Sequence, residues 1–171
     1  MNKNSFDTIT LMNSLKSIIS GGQTGVDRAA LDVALKLKIQ CSGWCPKGRL
    51  AEDGIISALY PLTETKSNKP EARTEQNVID ADATLILTKE YQLDKGSQYT
   101  IKMCKKHNKP VLVLNLENQS EVLSETFIKW LSKFQVKTLN IGGPRESNIP
   151  GIYNSSKELL LSFISRQING V

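Results

Sequence analysis

IISGGQTGVDR, residues 18–28, decides the fold of this chain. A short apolar run ends in a turn of small residues, and apolar residues then recur at helical spacing from Val26 to Leu37. That order predicts a strand, a glycine turn and a helix. Gly21 and Gly22 carry no Cβ, so the backbone of the turn can approach a ligand closely. The free N–H groups and the positive dipole end of the helix favour an anion, most often a phosphate, at this turn.

Polar side chains surround the turn, namely those of Gln23, Thr24, Asp27 and Arg28. The glycine spacing fits neither the dinucleotide pattern G-x-G-x-x-G nor the Walker pattern G-x-x-x-x-G-K-[ST]. The residues by themselves therefore leave two interpretations open. One is an anion site, and the other is a strand-to-helix turn in which the glycines satisfy backbone geometry and Asp27 balances the helix dipole.

The composition is that of a globular protein, with 39% apolar and 23% charged residues among 171. We expect a loose N-terminal arm at residues 1–15 and a single domain at residues 16–171. No apolar run approaches the length of a membrane span, and no secretory signal is recognisable, so a cytoplasmic location is expected. The net charge is +5, but the lysines are spread along the chain, which argues against nucleic-acid binding.

Predicted strands alternate with predicted helices along the chain. Strands are expected at 16–20, 39–44, 83–88, 110–115 and 136–141, and helices at 24–38, 51–59, 73–81, 97–107, 120–134 and 153–168. This alternation indicates a parallel sheet with helices on both faces. The apolar runs at 83–88 and 110–115 are typical of strands covered on both faces. A ligand is expected where the loops after Ser20, Thr88 and Ile141 meet, at the carboxyl ends of the strands.

Three loops combine glycine with cations. The first is the opening turn with Arg28, the second is PKGR at 46–49, and the third is GGPRES at 142–147. Guanidinium groups and backbone N–H groups both match phosphate oxygens, so the three loops together favour a phosphorylated ligand. The alternative is that the cations of the last two loops are solvated turn residues. Arg73 lies near a helix start, where a cation opposes the dipole unless it serves an anion or a carboxylate.

A metal site is the weaker interpretation of the cysteines. Cys41, Cys45, Cys104 and His107 have residue types that bind zinc, and the first two have an allowed spacing. Cys104 lies far along the chain on a predicted helix, however, and buried free thiols are more common. We therefore expect no metal ligands.

Several motifs occur in a specific order. They are SGGQTGVDRAALD at 20–32, GWCPKGR at 43–49, AEDG at 51–54, GGPRES at 142–147 and PGIY at 150–153. In this order they resemble the family named molybdenum carrier proteins, a circularly permuted branch of the Rossmann-like nucleotide-binding superfamily that includes lysine-decarboxylase-like proteins. The resemblance extends over about residues 16–168. It implies an α/β, Rossmann-like three-layer fold with a mostly parallel central sheet. It also implies binding of molybdenum cofactor (molybdopterin), another phosphorylated pterin or a nucleotide-like ligand.

A more distant resemblance bears on catalysis. Hydrolases of the wider superfamily cleave the base from a nucleoside monophosphate, and Arg73 and Asn77 match their arginine-bearing helix. KGSQYT at 95–100 resembles only the end of their catalytic loop, and Thr100 falls where the catalytic glutamate would lie. A hydroxyl cannot act as a carboxylate base near neutral pH, so a binding or carrier role is favoured over hydrolysis.

The alternative is a hydrolase that cleaves an N-glycosidic or phosphoester bond of a nucleotide or its derivative. Glu52, Asp53 and Glu146 stay open as sources of its carboxylate.

The expected function is a carrier or binding protein for an anionic small molecule, with residues 21–25 around the phosphate, cations nearby, and Arg73, Ser97 and Thr100 on the far side. The expected binding residues are Gly21, Gly22, Gln23, Thr24, Gly25, Asp27, Arg28, Lys47, Arg49, Arg73, Asn77, Gly96, Ser97, Thr100, Gly142, Gly143, Pro144, Arg145, Glu146 and Ser147. We further expect a homo-oligomer, with neither nucleic acid nor membrane as a partner.

Overall fold

The computed structural model describes residues 15–168, and nine short strands occur in that range. They are β1 (Ser17–Ile19), β2 (Gln40–Ser42), β3 (Trp44–Cys45), β4 (Leu50–Ala51), β5 (Gly54–Ile55), β6 (Thr63–Glu64), β7 (Ala83–Thr88), β8 (Val111–Asn115) and β9 (Thr138–Gly142). Five of them form the central sheet in the spatial order β2-β1-β9-β7-β8. All its neighbouring pairs are parallel, as predicted.

Five helices of the described range cover the sheet. They are α1 (Val26–Lys36), α2 (Pro70–Asp80), α3 (Lys95–Lys106), α4 (Ser120–Lys133) and α5 (Ile152–Ile168). The first packs against α5, while α2 packs against α3. Proline at the first position of α2 suits a helix start, since its missing N–H would have no helical partner there. None of these helices is both long and apolar enough to cross a membrane.

Strand β7 shows why the protein has three layers. All six of its residues are buried. Leu85 and Leu87 belong to the main core, where Phe127 of α4 stacks on Phe163 of α5 with ring centroids 5.5 Å apart. Thr84 points to the opposite face, because side chains alternate along a strand, and it lies beside Cys104 of α3. Helices therefore cover both faces of the sheet, and the predicted α/β, Rossmann-like fold is confirmed.

Strand β8 departs from the expectation for residues 110–115. It pairs only with β7 and forms an edge of the sheet. Val113 is consequently 39% exposed. The prediction of a strand buried on both faces was wrong here, because an apolar run does not reveal whether a strand is central or at an edge.

Residues 51–59 form no helix, contrary to prediction. Strands β4 and β5 pair antiparallel across the two-residue turn Glu52-Asp53, and Gly54 follows with φ of 114°. Gly54 permits the positive φ that follows this turn, and the turn geometry outweighs the weak helical periodicity of the segment. The hairpin extends towards the carboxyl ends of the central strands.

The order of the strands places the loops that matter for function. The chain runs from β1 outward to β2, crosses to β7 and β8, and returns to insert β9 between β1 and β7. The carboxyl ends of β1, β9 and β7 are therefore adjacent, and their loops meet as predicted. The predicted arm at residues 1–15 lies outside the described residues except for Leu15.

Candidate functional site

A cleft of about 350 Å³ opens at the carboxyl ends of β1, β9 and β7. The turns after β1 and β9 form one side, and α2 with the start of α3 forms the other. The expected binding residues that line it are Gly21, Gln23, Asp27, Arg73, Asn77, Gly96, Ser97, Thr100, Gly142, Gly143 and Arg145. The topology thus gathers residues that are far apart in the sequence into one concave surface.

An ion pair occupies the floor of the cleft. Arg73 Nη1 lies 2.7 Å from Asp27 Oδ2, and Asp27 is only 4% exposed. Arg73 Nε is buried and makes no hydrogen bond with any residue of the described chain. The guanidinium therefore satisfies the carboxylate of α1 and still has an N–H without an acceptor.

Gly21 is required beside this ion pair. A Cβ at this position would lie 1.5 Å from Arg73 Nη1 and 2.9 Å from Asp27 Oδ2. Any side chain here would displace the guanidinium. The first glycine of the opening turn therefore makes room for a cation rather than adopting an unusual backbone angle.

The loop after β9 forms the opposite rim. A Cβ on Gly143 would lie 2.3 Å from the carbonyl oxygen of Leu87 and 2.7 Å from Val26 Cγ2, so the close approach of this loop to β7 requires glycine. Arg145 follows on the surface, and its side chain makes no hydrogen bond or ion pair within residues 15–168. Its guanidinium donors are therefore available at the mouth of the cleft.

The start of α3 forms the far wall, and its N-terminus is capped by the protein itself. The carboxylate of Asp94 accepts hydrogen bonds from Gly96 N at 2.9 Å, Ser97 N at 3.1 Å and Ser97 Oγ at 2.8 Å. An anion at these N–H groups would have to compete with this carboxylate. Gly96 and Ser97 therefore line the cleft without offering free N–H groups to a phosphate. Any binding of an anion in the cleft then depends mainly on Arg73 and Arg145.

Comparison of the chain with known proteins identifies its family. The family model described as "Circularly permutated YpsA SLOG family" matches residues 18–164.

The chain belongs to this family.

A crystal structure from Syntrophus aciditrophicus SB, named "Putative molybdenum carrier protein", is 41% identical in sequence. The match covers 88% of this chain and 96% of that chain, with a TM-score of 0.86. No protein of curated function matches the chain. The predicted family and fold are confirmed, and the neighbour's name agrees with the resemblance given by the motifs.

Arg28 and Arg49 lie outside the cleft lining and donate hydrogen bonds to other groups of the protein. Arg28 donates to the carbonyl of Gly22 and pairs with Asp53 of the hairpin at 3.0 Å. Arg49 donates four hydrogen bonds to backbone carbonyls between residues 56 and 62. Both guanidinium groups are thus used by acceptors of the protein itself, and their expected contact with a ligand stays a prediction.

The remaining expected residues also have other contacts or positions. Outside the cleft lining lie Gly22, Thr24, Gly25, Arg28, Lys47, Arg49, Pro144, Glu146 and Ser147. The Glu146 carboxylate accepts hydrogen bonds from Gly151 N and Tyr153 N, so it caps the start of α5. Pro144 accepts a hydrogen bond from Val26 N through its carbonyl oxygen. These residues support the loops rather than the cleft surface.

Asn77 lines the cleft, but its amide is already used. Its Oδ1 accepts from Trp44 N at 2.7 Å, and its Nδ2 donates to Trp44 O at 3.1 Å. This buried side chain therefore fastens α2 to β3. It thereby positions the helix that carries Arg73, and its expected contact with a ligand stays a prediction.

Glu52 joins the turn after β1, the β4–β5 hairpin and the loop after β9. Its carboxylate accepts hydrogen bonds from the hydroxyls of Thr24 and Ser147, and its N–H donates to Gln23 Oε1 at 2.9 Å. Burial raises the pKa of Glu52, but the hydrogen bonds from Ser147 and Thr24 outweigh this effect and hold it below its usual value. We call this set of contacts, made by Glu52 with Gln23, Thr24 and Ser147, the Glu52 latch.

The latch predicts a dependence of stability on pH. A carboxyl group whose pKa is lowered by folding stabilises the protein above its unfolded-state pKa, and this contribution is lost as the pH falls through the folded-state pKa. The stability difference between the wild type and Glu52→Gln should therefore be largest near neutral pH and shrink in acid. Urea unfolding at several pH values measures it. For comparison, Glu158→Gln changes an exposed carboxylate without these contacts, and a similar pH dependence in that variant would contradict the latch.

A second cavity of about 230 Å³ lies beneath the hairpin. Pro46, Leu50, Ala51, Glu52 and Asn68 line it, together with residues that also line the cleft. The residues common to both are Gly21, Gln23, Pro70, Arg73 and Arg145. The two cavities therefore adjoin at the two arginines.

Sequence reasoning missed Asn140 and Asp94 in the cleft. Asn140 is a buried polar residue inside an apolar strand, and that contrast was a usable signal. Asp94 immediately precedes α3 and caps its N-terminus. Aspartate is a preferred N-cap residue, so its position just before a predicted helix was also a usable signal.

Cys41, Cys45 and Cys104 are buried free thiols, and burial raises the pKa of each. Within residues 15–168, no group of three or more potential metal ligands is close enough to bind a metal ion.

Proposed function

We propose that the cleft binds an anionic, phosphate-bearing small molecule and that the protein acts as a carrier or binding protein. The observation that carries this proposal is that Arg73, at the floor, and Arg145, at the mouth, line the same cleft as the glycine turn that follows β1. Arg73 keeps a buried N–H without an acceptor, and Arg145 makes no hydrogen bond or ion pair with the described residues. Two guanidinium groups with unused donors fit phosphate oxygens.

Molybdenum cofactor is the first candidate for the cargo, and a nucleotide is the second. The cofactor is a phosphorylated pterin, and the similar protein from Syntrophus aciditrophicus is named as a molybdenum carrier. The cleft is within the size range of small-molecule sites, and its donors match a phosphate. Hydrogen bonds and ion pairs are reversible contacts, as a carrier needs in order to release its load.

A titration with molybdenum cofactor, pterin phosphates and nucleotides tests the proposal. We expect one of these probes to bind, and Arg145→Gln to weaken it by about tenfold or more, because hydrogen bonds to charged groups contribute ~1.5–3 kcal/mol. Lys47→Gln, which removes an exposed cation outside both cavities, should leave the affinity unchanged. A folded sample that binds none of the probes would overturn the proposal.

Hydrolysis is disfavoured by the positions of the candidate carboxylates. Glu52 is held by the latch, Asp53 pairs with Arg28, and Glu146 caps α5. Of the other carboxylates that line the cleft, Asp27 is paired with Arg73 and Asp94 caps α3, which leaves the exposed Glu71 as the remaining candidate. Incubation with a nucleotide panel should therefore release no base, ribose phosphate or phosphate, and turnover by the pure protein would favour the hydrolase instead.

A further inference from the structure

The candidate site has two lobes that meet at a waist. The large lobe is the cleft between the carboxyl ends of the central strands and α2 with α3. The small lobe is the cavity beneath the β4–β5 hairpin. The waist consists of the residues that line both, and its charged members are Arg73 and Arg145.

Charge is distributed unevenly between the waist and the lobes. No carboxylate is among the waist residues of the described chain, whereas both of its charged residues are cations. Asp27, Glu71 and Asp94 line only the large lobe together with one cation, Lys95, and Glu52 lines only the small lobe. An anionic group is therefore favoured at the waist and disfavoured deep in either lobe.

The small lobe suits an uncharged group. Pro46, Leu50 and Ala51 contribute apolar groups to its mixed lining, and Asn68 adds an amide. Both carboxylate oxygens of Glu52 already accept hydrogen bonds from hydroxyl groups in the latch. A heterocycle or a sugar fits this surface better than a second phosphate does.

The large lobe also suits an uncharged group, but one with a polar edge. Ser97, Thr100 and Asn140 line it with hydroxyl and amide groups, and Tyr99 adds an aromatic ring. Groups of this kind orient hydroxyls and ring nitrogens of a ligand.

We propose that the ligand is a two-part molecule in which two uncharged organic groups are joined through a phosphate or pyrophosphate. The linking anion lies at the waist between Arg73 and Arg145, and one organic group occupies each lobe. This inference rests on the proposed function and extends it to the class of dinucleotides, nucleoside-diphosphate conjugates and pterins joined to a nucleotide through a pyrophosphate, which it ranks above a free pterin phosphate. A molecule with a single organic group leaves one lobe empty and loses the contacts made there.

Two matched pairs of probes test the two-part ligand. Diadenosine pyrophosphate is compared with ADP, and UDP-glucose is compared with UDP, by calorimetric titration. In at least one pair, the two-part probe should bind about tenfold or more tightly than the one-part probe, because the second group binds within the same molecule. Equal affinities within both pairs would overturn the inference.

Asn68→Trp fills the small lobe from an exposed loop and should remove this advantage. Asn118→Trp makes the same change at an exposed position outside both lobes and should retain it. An advantage that survives Asn68→Trp would also contradict the small lobe as a subsite. Binding of ADP or UDP without any gain from the second group overturns only this inference, whereas failure of every probe class, including the pterin phosphates, overturns the proposed function as well.

Discussion

Arg73→Met is expected to abolish ligand binding and to lower the free energy of unfolding by about 3 kcal/mol, the lower end for breaking a buried ion pair. The guanidinium lies 2.7 Å from a carboxylate that is 6% exposed, and methionine replaces its length without its charge. Asp27 is then left buried without its cation. Urea unfolding measures the stability, and titration with the probes named above measures the binding.

The double variant Asp27→Asn, Arg73→Met separates charge from packing. The neutral amide of asparagine at position 27 costs less to bury without a cation than the charged carboxylate of Asp27 does. The double variant should therefore be more stable than Arg73→Met alone. Lys106→Met serves as a control, since it breaks an exposed, solvent-screened pair with Glu75 and should destabilise the protein much less than Arg73→Met does. If Arg73→Met unfolds at the wild-type urea concentration, the ion pair does not stabilise the floor of the cleft.

Gly25→Ala is expected to destabilise the protein by about 3–5 kcal/mol, through a positive φ and a steric clash together. Gly25 has φ of 78°, and a Cβ would lie 2.3 Å from the carbonyl oxygen of Pro144 and 2.8 Å from Glu146 N. Both atoms belong to backbone that is fixed in place, because Pro144 O accepts a hydrogen bond from Val26 N. Thermal unfolding measures the loss.

Gly151→Ala provides a matched control for the backbone angle. Gly151 has φ of 85°, but a Cβ there would have no atom within 4 Å apart from those of its chain neighbours, so only the angular strain of about 1–2 kcal/mol remains. The difference between the two variants gives the additional cost at Gly25, to which both the clash and the ψ of −129° contribute. Equal losses would mean that the loop after β9 can move away from the start of α1.

The fold was predictable because hydrophobic periodicity and turn residues are local properties. Strand β7 occupies 83–88, as its apolar run predicted. The hairpin at residues 50–55 was not predicted, since its strands are two residues long and give no clear period. The spatial order of the strands depends on contacts between distant segments, which no local pattern encodes.

The sequence predicted which residue types the candidate site contains, but not which of their side chains face the cleft. Glycine and arginine in three loops indicated an anion site, and Arg145 does line the cleft. Arg28 and Arg49 have the same chemistry but donate to backbone carbonyls instead. A single sequence shows which groups can bind phosphate, whereas the folded chain determines which of them remain free. The expected homo-oligomer and cytoplasmic location stay predictions.

The insertion of β9 between β1 and β7 has a consequence for synthesis on the ribosome. Ser17 is paired with Thr138, so the first strand receives this neighbour only after more than a hundred further residues have been added. Until then, the nascent chain exposes the edges of β1 and β7, which are the surfaces where unfinished sheets aggregate. The central sheet is therefore completed only after β9 has been added to the growing chain.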